Sequence, residues 1–271
     1  MNGRDVARGV TLFPIIGVLR LRRASPRNRA TVAHVKPSPW GRLVIVSAVL
    51  VAGSAAALLA WDFASERARL VSFPVTGAVR RVVLDVGDAD VAVVGGGRRA
   101  SVDVSRRERY SFGRPAKTRR EVAGGTFKVT SRCPEALPDA CSVRYRVVVP
   151  DNVPVEVATG DGAVRFERYR GSAQVATGGG DIDVEGFCGF ALRAQTKSGD
   201  VDATVSCPAQ QLSLRTRTGS VHAVVPPGRY EIDAQSASGR NALRGISATE
   251  DAPFAIQALS SSGDVLVEAG S

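Results

Sequence analysis

Hydrophobic residues at every second position recur in the second half of the chain, on both sides of six glycines. These glycines stand 18, 19, 20, 20 and 24 residues apart. Before Gly199, for example, Leu192 and Ala194 are apolar and two positions apart, and Val201 and Ala203 follow it with the same spacing. Alternation on both sides of a glycine corner predicts two short strands per repeat, each with one buried face. The six corners are Gly162, Gly180, Gly199, Gly219, Gly239 and Gly263.

A repeat of about 20 residues with this pattern is typical of a β-solenoid. One repeat alone cannot bury its apolar face, so neighbouring repeats stack as rungs around one continuous core. We expect regular rungs over residues 155–271, each stacked on the next, and irregular capping rungs over residues 77–154. The chain is therefore predicted to be all-β, a single β-solenoid with about 20 residues and two strands per rung.

Two stretches depart from the repeat. Arg106 to Gly125 is polar and has no clear period, which favours a loop or a lateral hairpin. The corner Gly239-Arg240-Asn241 lacks the aspartate and the apolar residue that follow other corner glycines. The fifth rung is therefore expected to be the least regular.

A small hydroxyl residue stands three positions before each corner glycine. It shares the parity of the apolar residues five and seven positions before the glycine, so it should point inward or line the corner. There its hydroxyl can form hydrogen bonds along the stack, each worth a few tenths of a kcal/mol. We interpret this column as structural. Its members are Thr159, Thr177, Thr196, Thr216, Ser236 and Ser260.

An uncharged stretch of 19 residues, Leu43 to Trp61, lies between Arg42 and Asp62. As a helix it would extend roughly 30 Å, the thickness of a bilayer core. Trp40 and Trp61 stand at its two ends, where interfacial aromatic residues belong. We predict a transmembrane helix that precedes the solenoid. A cleaved signal peptide and a buried core helix are the alternatives.

The net charge of +10 is concentrated at the start of the chain. Residues 1–42 contain nine Arg and Lys residues and one acidic residue, a net charge of +8 that leaves +2 for the rest. The positive-inside rule therefore predicts that residues 1–42 lie in the cytoplasm. Their basic composition indicates a disordered tail. The transmembrane helix then covers residues 43–61, and residues 62–76 form a linker. The repeats would then lie outside the cell membrane. Because they are nearly neutral, the high net charge gives no argument for nucleic-acid binding.

A second, weaker basic cluster extends from Arg98 to Arg120. Such a cluster is either a solvated face or a patch that binds an anionic partner, and the sequence leaves both interpretations open.

Four cysteines in an exported domain suggest two disulfides. Cys188 and Cys207 each lie eight residues after a corner glycine, so they should occupy the same position on successive rungs, about 4.8 Å apart. This predicts a Cys188–Cys207 bond and leaves Cys133 to pair with Cys141. Buried free thiols are the alternative. Neither CxxC spacing nor a histidine pair, both typical of zinc sites, is present.

The sequence offers little for catalysis or for a cofactor. His34 lies in the tail, and His222 stands between two inward-facing positions without an evident nucleophile. Aspartates near the corner glycines are good turn residues, although a carboxylate row could also hold a cation or act catalytically. We predict no enzymatic activity, no cofactor and no metal site. The aspartates are Asp161, Asp181, Asp183, Asp200, Asp202 and Asp264.

The corner motifs resemble a known family. Two corners read Ser-Gly-Asp-Val, at Ser198–Val201 and at Ser262–Val265, and other corners are variants of it. Together with the preceding run from Cys133 to Pro150, this pattern resembles the bacterial putative-adhesin domain family over roughly residues 77–268. The resemblance implies a β-solenoid exposed at the cell surface, and it supplies no catalytic residues.

We therefore expect a membrane-anchored, extracytoplasmic, adhesin-like binding or scaffold module of the bacterial cell envelope. Its expected partners are the membrane and a cell-wall polymer or an envelope protein, and not nucleic acid. The alternative is an envelope-stress sensor or regulatory accessory protein that signals through its cytoplasmic tail. Deletion of residues 2–38 would silence a sensor and leave an adhesin working. A carbohydrate-active enzyme is disfavoured because no convergent set of catalytic residues is evident.

Overall fold

The computed structural model describes residues 39–96, 101–135 and 140–270. Most of the predicted cytoplasmic tail, residues 1–38, lies outside the described residues. The chain divides into two compact units, Met1–Ala52 and Gly53–Ser271. All described strands belong to the second unit.

One α-helix, α1, extends from Pro39 to Ser65. Its central segment, Leu43–Trp61, has a mean hydropathy of 2.5 and is not buried. By length and composition this segment can cross a membrane, at the position expected from the sequence.

Strands make up nearly all the regular structure after α1, and nineteen of them are present in the described residues. They are β1 (Arg67–Thr76), β2 (Arg81–Val86), β3 (Asp90–Val94), β4 (Ser101–Tyr110), β5 (Lys117–Ala123), β6 (Thr126–Arg132), β7 (Cys141–Val148), β8 (Val155–Thr159), β9 (Val164–Glu167), β10 (Ala173–Thr177), β11 (Ile182–Phe187), β12 (Ala191–Ser198), β13 (Val201–Val205), β14 (Gln211–Thr218), β15 (Val221–Val225), β16 (Tyr230–Ser236), β17 (Asn241–Arg244), β18 (Phe254–Ser262) and β19 (Val265–Ala269).

These strands form two sheets. Sheet A has the order β1-β4-β7-β3-β9-β11-β13-β15-β19-β17, and sheet B has the order β16-β18-β14-β12-β10-β8-β2-β6-β5. Each rung contributes one strand to each sheet, and equivalent strands of neighbouring rungs pair in parallel, as β11 does with β13 and β12 with β14. The predicted β-solenoid with two strands per rung is therefore confirmed.

The core lies between the two sheets and is built by alternation along each strand. In β13, Val201 and Ala203 are buried, whereas Asp202 is exposed. The register keeps equivalent positions in line, because Val201 pairs with Ile182 on one side and with Val221 on the other. Each rung therefore covers the apolar residues of the next, and the core is continuous along the stack.

The rungs do not all stack in chain order. The β18–β19 rung lies between β14–β15 and β16–β17, so the last repeat is inserted before the fifth one. At the other end, β2–β3 lies between β6–β7 and β8–β9. The expectation that each rung stacks on the next is therefore wrong at both ends. The period of a repeat gives the length of a rung but does not identify its neighbour.

The outermost rung, β16–β17, is the least buried, with Leu243 of β17 42% exposed. Its strands pair with β18 and β19 without a register shift, so the irregularity expected at the Gly239 corner is absent from the pairing of this rung. The greater exposure follows from the position at the end of the stack, where the rung has a neighbour on one side only.

Antiparallel strands close the opposite end. β1 pairs with β4, β4 with β7, and β5 with β6. One expectation is wrong here, since residues 67–76 of the predicted linker form β1. The loop or lateral hairpin expected over Arg106 to Gly125 is found in part: β5 forms an antiparallel hairpin with β6, whereas the first residues of this stretch continue β4. Edge strands carry charged residues that discourage further pairing, and these charges hide the apolar period by which a strand is recognised.

Candidate functional site

The six corner glycines stack directly on other corners through the solenoid. A side-chain carbon added to Gly180 would lie 2.0 Å from the carbonyl oxygen of Gly162, and one added to Gly219 would lie 2.2 Å from that of Gly199. Both distances are far below van der Waals contact, so the corner has no room for a side chain. At the other four corners, a carbon added to the glycine would also lie 2.0 to 2.5 Å from a carbonyl oxygen of the neighbouring rung. These oxygens belong to Ala89 for Gly162, Gly180 for Gly199, Gly219 for Gly263 and Gly263 for Gly239.

The six hydroxyl residues donate hydrogen bonds to carbonyl groups of neighbouring corners. Thr196 Oγ1 donates to the carbonyl oxygen of Gly180 at 3.1 Å, and the other five make equivalent contacts. The column therefore lines the corner, and its hydroxyls donate hydrogen bonds to backbone carbonyl groups of the neighbouring rung. The other acceptors are Gly87 and Ala89 for Thr159, Gly160 and Gly162 for Thr177, Gly199 for Thr216, Gly263 for Ser236 and Gly219 for Ser260.

Three corner aspartates accept hydrogen bonds from the backbone of a neighbouring corner. Asp181 Oδ1 accepts the Asp200 N–H at 2.9 Å, and Asp200 Oδ1 accepts the Ser220 N–H at 2.7 Å. Asp264 Oδ1 likewise accepts the N–H of Arg240 at 2.9 Å. These contacts favour the structural interpretation of the corner aspartates. Within residues 39–96, 101–135 and 140–270, no group of three or more His, Cys, Asp or Glu side chains could hold a metal ion.

Two disulfides join the cysteines in the pairs expected from the repeat. Cys188 follows β11 and Cys207 follows β13, and their Cα atoms lie 4.8 Å apart. Cys133 and Cys141 close the segment between β6 and β7, with a Cα–Cα distance of 5.8 Å. The first bond links neighbouring rungs, and the second holds the corner of the β6–β7 rung.

The most promising binding surface is a groove of about 840 Å³ on the outer face of sheet A, which we call the sheet A groove. Its lining includes Arg146, Arg165 and Asp183, which alternate along their strands with buried core residues. The register places them in one column with Ala92, because Ala92 pairs with both Arg146 and Arg165, and Arg165 pairs with Asp183. The small side chain of Ala92 leaves space between two arginines.

The sheet A groove is basic at one end and acidic at the other. The basic end lies on β4 and β7 and the acidic end on β11 and β13, about 15 to 20 Å away at the usual strand spacing. Ion pairs join some of these groups, such as Arg144 Nε with Asp90 Oδ2 at 3.0 Å and Arg165 Nη2 with Asp183 Oδ2 at 2.6 Å. The basic residues are Arg107, Arg144 and Arg146, and the acidic residues are Asp181, Asp183, Asp200 and Asp202.

The crowding of charge changes proton affinities in the groove. Partial burial raises the pKa of Asp202, His222 opposes this rise, and the carboxylates of Asp200 and Asp183 add to it. The Asp183 carboxylate raises the pKa of Arg165. Excess negative charge at this end therefore favours a cationic group of a ligand.

His222 lies beside the acidic end, on β15. Its Nε2 is 3.0 Å from Glu268 Oε1, and its Nδ1 is 3.5 Å from Asp202 Oδ1. Two carboxylates around an imidazole form a polar cluster and not the nucleophile–base pair of a hydrolase. The structure thus places His222 outward, as the sequence predicted, between buried Val221 and Ala223.

Sequence reasoning missed the sheet A groove. Outward positions such as Arg146 and Arg165 lie outside the repeat motif, and their proximity depends on β3 lying between β7 and β9. That strand order could not be read from the spacing. The available signal was the excess of arginine in β7 and of aspartate near the corners of β11 and β13.

Comparisons with solved structures found distant likenesses. A putative cell adhesion protein from Clostridium sporogenes ATCC 15579 is 10% identical, covers 75% of this chain and 100% of its own, and has a TM-score of 0.47. A putative adhesin from Bacteroides fragilis NCTC 9343 is 10% identical, covers 74% of this chain and 97% of its own, and has a TM-score of 0.35. A putative lipid binding protein from Parabacteroides distasonis ATCC 8503 is 10% identical, covers 75% of this chain and 97% of its own, and has a TM-score of 0.30. No curated protein matches the chain.

A family model described as Toastrack DUF4097 matches residues 151–245. The matched region begins just before β8 and ends just after β17. It contains five of the six glycine corners, from Gly162 to Gly239, and agrees with the resemblance indicated by the corner motifs. Residues 151–245 are therefore similar to the Toastrack DUF4097 family.

Proposed function

We propose that this protein is a membrane-anchored, extracytoplasmic β-solenoid that acts as an adhesin-like binding or scaffold module of the bacterial cell envelope. The observation that carries the proposal is the sheet A groove, about 840 Å³ in volume, with arginines at one end and aspartates at the other. Grooves of this volume accommodate ligands of about the size of a drug molecule. A rigid sheet holds the charged side chains at fixed spacing, as a binding surface requires.

The anchor and its orientation rest on three features of the chain. Leu43–Trp61 is long and apolar enough to span a bilayer. The residues before it carry a net charge of +8, which favours retention on the cytoplasmic side. The two disulfides in the solenoid are typical of an oxidising compartment outside the cytoplasm.

The groove's charge pattern favours an extended envelope ligand that carries both anionic and cationic groups. Anionic groups would bind Arg107 and Arg146, since guanidinium pairs well with carboxylate and phosphate. Cationic groups would bind near Asp200 and Asp202, where partial burial and, to a smaller extent, neighbouring carboxylates raise the pKa of Asp202. A cell-wall polymer that bears carboxylates and amines has this chemistry.

Binding without catalysis is part of the proposal. His222 contacts two carboxylates, and the corner aspartates accept backbone hydrogen bonds. Groups committed to such contacts are poorly placed to move protons to and from a substrate.

Binding of soluble cell-wall fragments by the full-length protein in phosphatidylcholine nanodiscs tests the proposal. We expect Arg107→Gln combined with Arg146→Gln to weaken binding by about tenfold or more, because each change removes a charge-assisted hydrogen bond. Arg193→Gln is the matched control, since Arg193 is exposed on the outer face of sheet B. Equal binding by the control and the double variant would reject the sheet A groove as the site.

A further inference from the structure

A second polar cavity lies between the inner faces of the two sheets, at the end closed by antiparallel strands. It has a volume of about 260 Å³ and is lined from sheet A by β1, β4 and β7, and from sheet B by β5 and β6. We call it the arginine cavity. Its polar lining consists of Arg69, Arg106, Thr118, Arg120 and Tyr145.

The arginine cavity contains two polar atoms without partners. Among the described residues, the buried side-chain atoms that lack a hydrogen bond are Arg106 Nε and Tyr145 Oη. Both residues line this one cavity, and Tyr145 is only 3% exposed. A buried donor left unpaired costs about 1 to 3 kcal/mol, so proteins rarely leave two together without a reason.

The guanidinium of Arg106 is held in place by its other two nitrogens. Nη2 donates to Glu108 Oε2 at 3.0 Å, and Nη1 donates to Thr118 Oγ1. Glu108 is itself fixed, because its Oε1 accepts the N–H of Ala116 at 2.5 Å and its side chain is 1% exposed. The free Nε–H of Arg106 therefore has a defined position in a rigid wall.

Two more arginines stand on exposed parts of the same cavity. Arg69 of β1 is the register partner of Glu108 and so shares its inward face. Arg120 of β5 places its guanidinium 4.3 Å from the centroid of the Phe73 ring, a cation–π contact that orients it. With Arg106, these side chains give three positive charges against the single carboxylate of Glu108, a net charge of +2.

We propose that the arginine cavity binds a compact, doubly negative oxyanion of the phosphate class. The Nε–H of Arg106 and the hydroxyl of Tyr145 would donate to its oxygens from the buried side, and Arg69 and Arg120 would close over it from the exposed side. Arginine is suited to this role because its planar donors match phosphate geometry. The volume of about 260 Å³ admits a phosphate group with several waters or a short ester, at about 30 Å³ for each water.

The phosphate group could come from solution or from a lipid headgroup. Arg69 is eight residues after Trp61, the end of the apolar span, and a chain of that length reaches at most about 29 Å. The short connection therefore keeps the cavity near the membrane surface. A phosphomonoester headgroup there and a dissolved phosphate present the same chemistry to the cavity.

Thermal unfolding of the full-length protein in phosphatidylcholine nanodiscs, with inorganic phosphate added at constant ionic strength, tests the proposal. Phosphate stabilises many proteins through exclusion from their surface, so the comparison between variants is decisive. Tyr145→Phe removes only an unpaired hydroxyl. It should leave the phosphate-free protein at least as stable as the wild type and lower its phosphate affinity about tenfold.

Arg69→Gln combined with Arg120→Gln should abolish the phosphate-dependent shift in Tm. The matched control is Arg119→Gln, since Arg119 precedes Arg120 on β5 and points to the opposite face. This control should retain the wild-type shift. Equal phosphate affinity in the wild type and Tyr145→Phe, or no phosphate-dependent difference between Arg119→Gln and the double variant, would overturn the proposal.

Nanodiscs that contain phosphatidic acid distinguish the two sources. A higher Tm in these nanodiscs without added phosphate, lost in Tyr145→Phe, would support a lipid phosphomonoester. A shift that requires dissolved phosphate would support a soluble ligand. The absence of any Tyr145-dependent shift in both arms would contradict the proposed site.

Discussion

Replacement of Gly180 by alanine tests whether the corners stack as closely as the structure indicates. The new side-chain carbon would lie 2.0 Å from the carbonyl oxygen of Gly162 and 2.4 Å from its carbonyl carbon. Both atoms belong to the backbone, so no side chain can rotate away. Carbon and oxygen need more than about 3 Å, so the two corners would have to separate by about 1 Å.

That separation would strain hydrogen bonds on both sides of the corner. Thr177 Oγ1 donates to the Gly162 carbonyl oxygen at 3.3 Å and accepts the N–H of Gly180 at 3.1 Å. Overpacking alone costs about 1 to 3 kcal/mol, and loss of two buried hydrogen bonds adds about 1 kcal/mol each. We therefore expect Gly180→Ala to lower the free energy of unfolding by about 3 to 5 kcal/mol.

Gly87→Ala is the control, because the nearest backbone atom to its added carbon lies 3.5 Å away and the nearest atom of all, Arg132 Cδ at 3.3 Å, belongs to a long, flexible side chain. Alanine also restricts the unfolded chain, so this change should be neutral or stabilise by about 0.5 kcal/mol. Urea unfolding followed by circular dichroism measures both variants. Similar unfolding free energies for Gly180→Ala and Gly87→Ala would refute the close stacking of corners.

Three further predictions concern the core, a disulfide and pH. Val201→Asp should destabilise the protein by at least about 3 kcal/mol because it buries an unpaired charge. Asp202→Asn, on the outer face, should cost little. Equal tolerance of both changes in chemical denaturation would show that the register is wrong. Reduction of Cys188–Cys207, which closes a separation of 19 residues, should cost about 3 kcal/mol and lower the Tm without loss of the fold. Asp264, whose pKa is lowered by hydrogen bonds from Arg240, should stabilise the protein above about pH 4 and lose this effect as pH falls through its folded pKa. Unfolding midpoints of Asp264→Asn and the wild type should therefore converge in acid, and a difference that persists there would contradict the assignment.

The repeat could be predicted from the sequence because each corner imposes a local demand. Gly180 has no room for a side chain, and Thr177 must reach a carbonyl oxygen of the neighbouring corner. Both demands recur every 18 to 24 residues and leave a pattern in the sequence. The cysteine pair followed for the same reason, since Cys188 and Cys207 hold one position on neighbouring rungs.

The order of the rungs could not be predicted, because stacking is satisfied equally by any neighbour with matching columns. Val221 pairs with Val265, from two repeats further along the chain, and the intervening repeat lies outside. The strands that close the end were missed for a related reason. β5, at the edge of sheet B, contains only exposed or partly exposed residues, and an edge strand needs no apolar period.

Both candidate sites depend on these unpredicted features. Arg146 and Arg165 flank Ala92 only because β3 lies between β7 and β9. The arginine cavity likewise exists only because β4 and β5 close the end of the stack. A repeat motif specifies the scaffold, whereas functional side chains occupy the positions that it leaves free.

Epitope labelling on intact spheroplasts tests the central claim most directly, that α1 anchors a solenoid displayed outside the cytoplasm. An epitope placed after Ser271 should be labelled by antibody without permeabilisation, and an epitope placed before Met1 should be labelled only after it. The labelled protein should also stay with the membrane fraction. Labelling of the N-terminal epitope on intact spheroplasts, with the C-terminal epitope protected, would contradict the account.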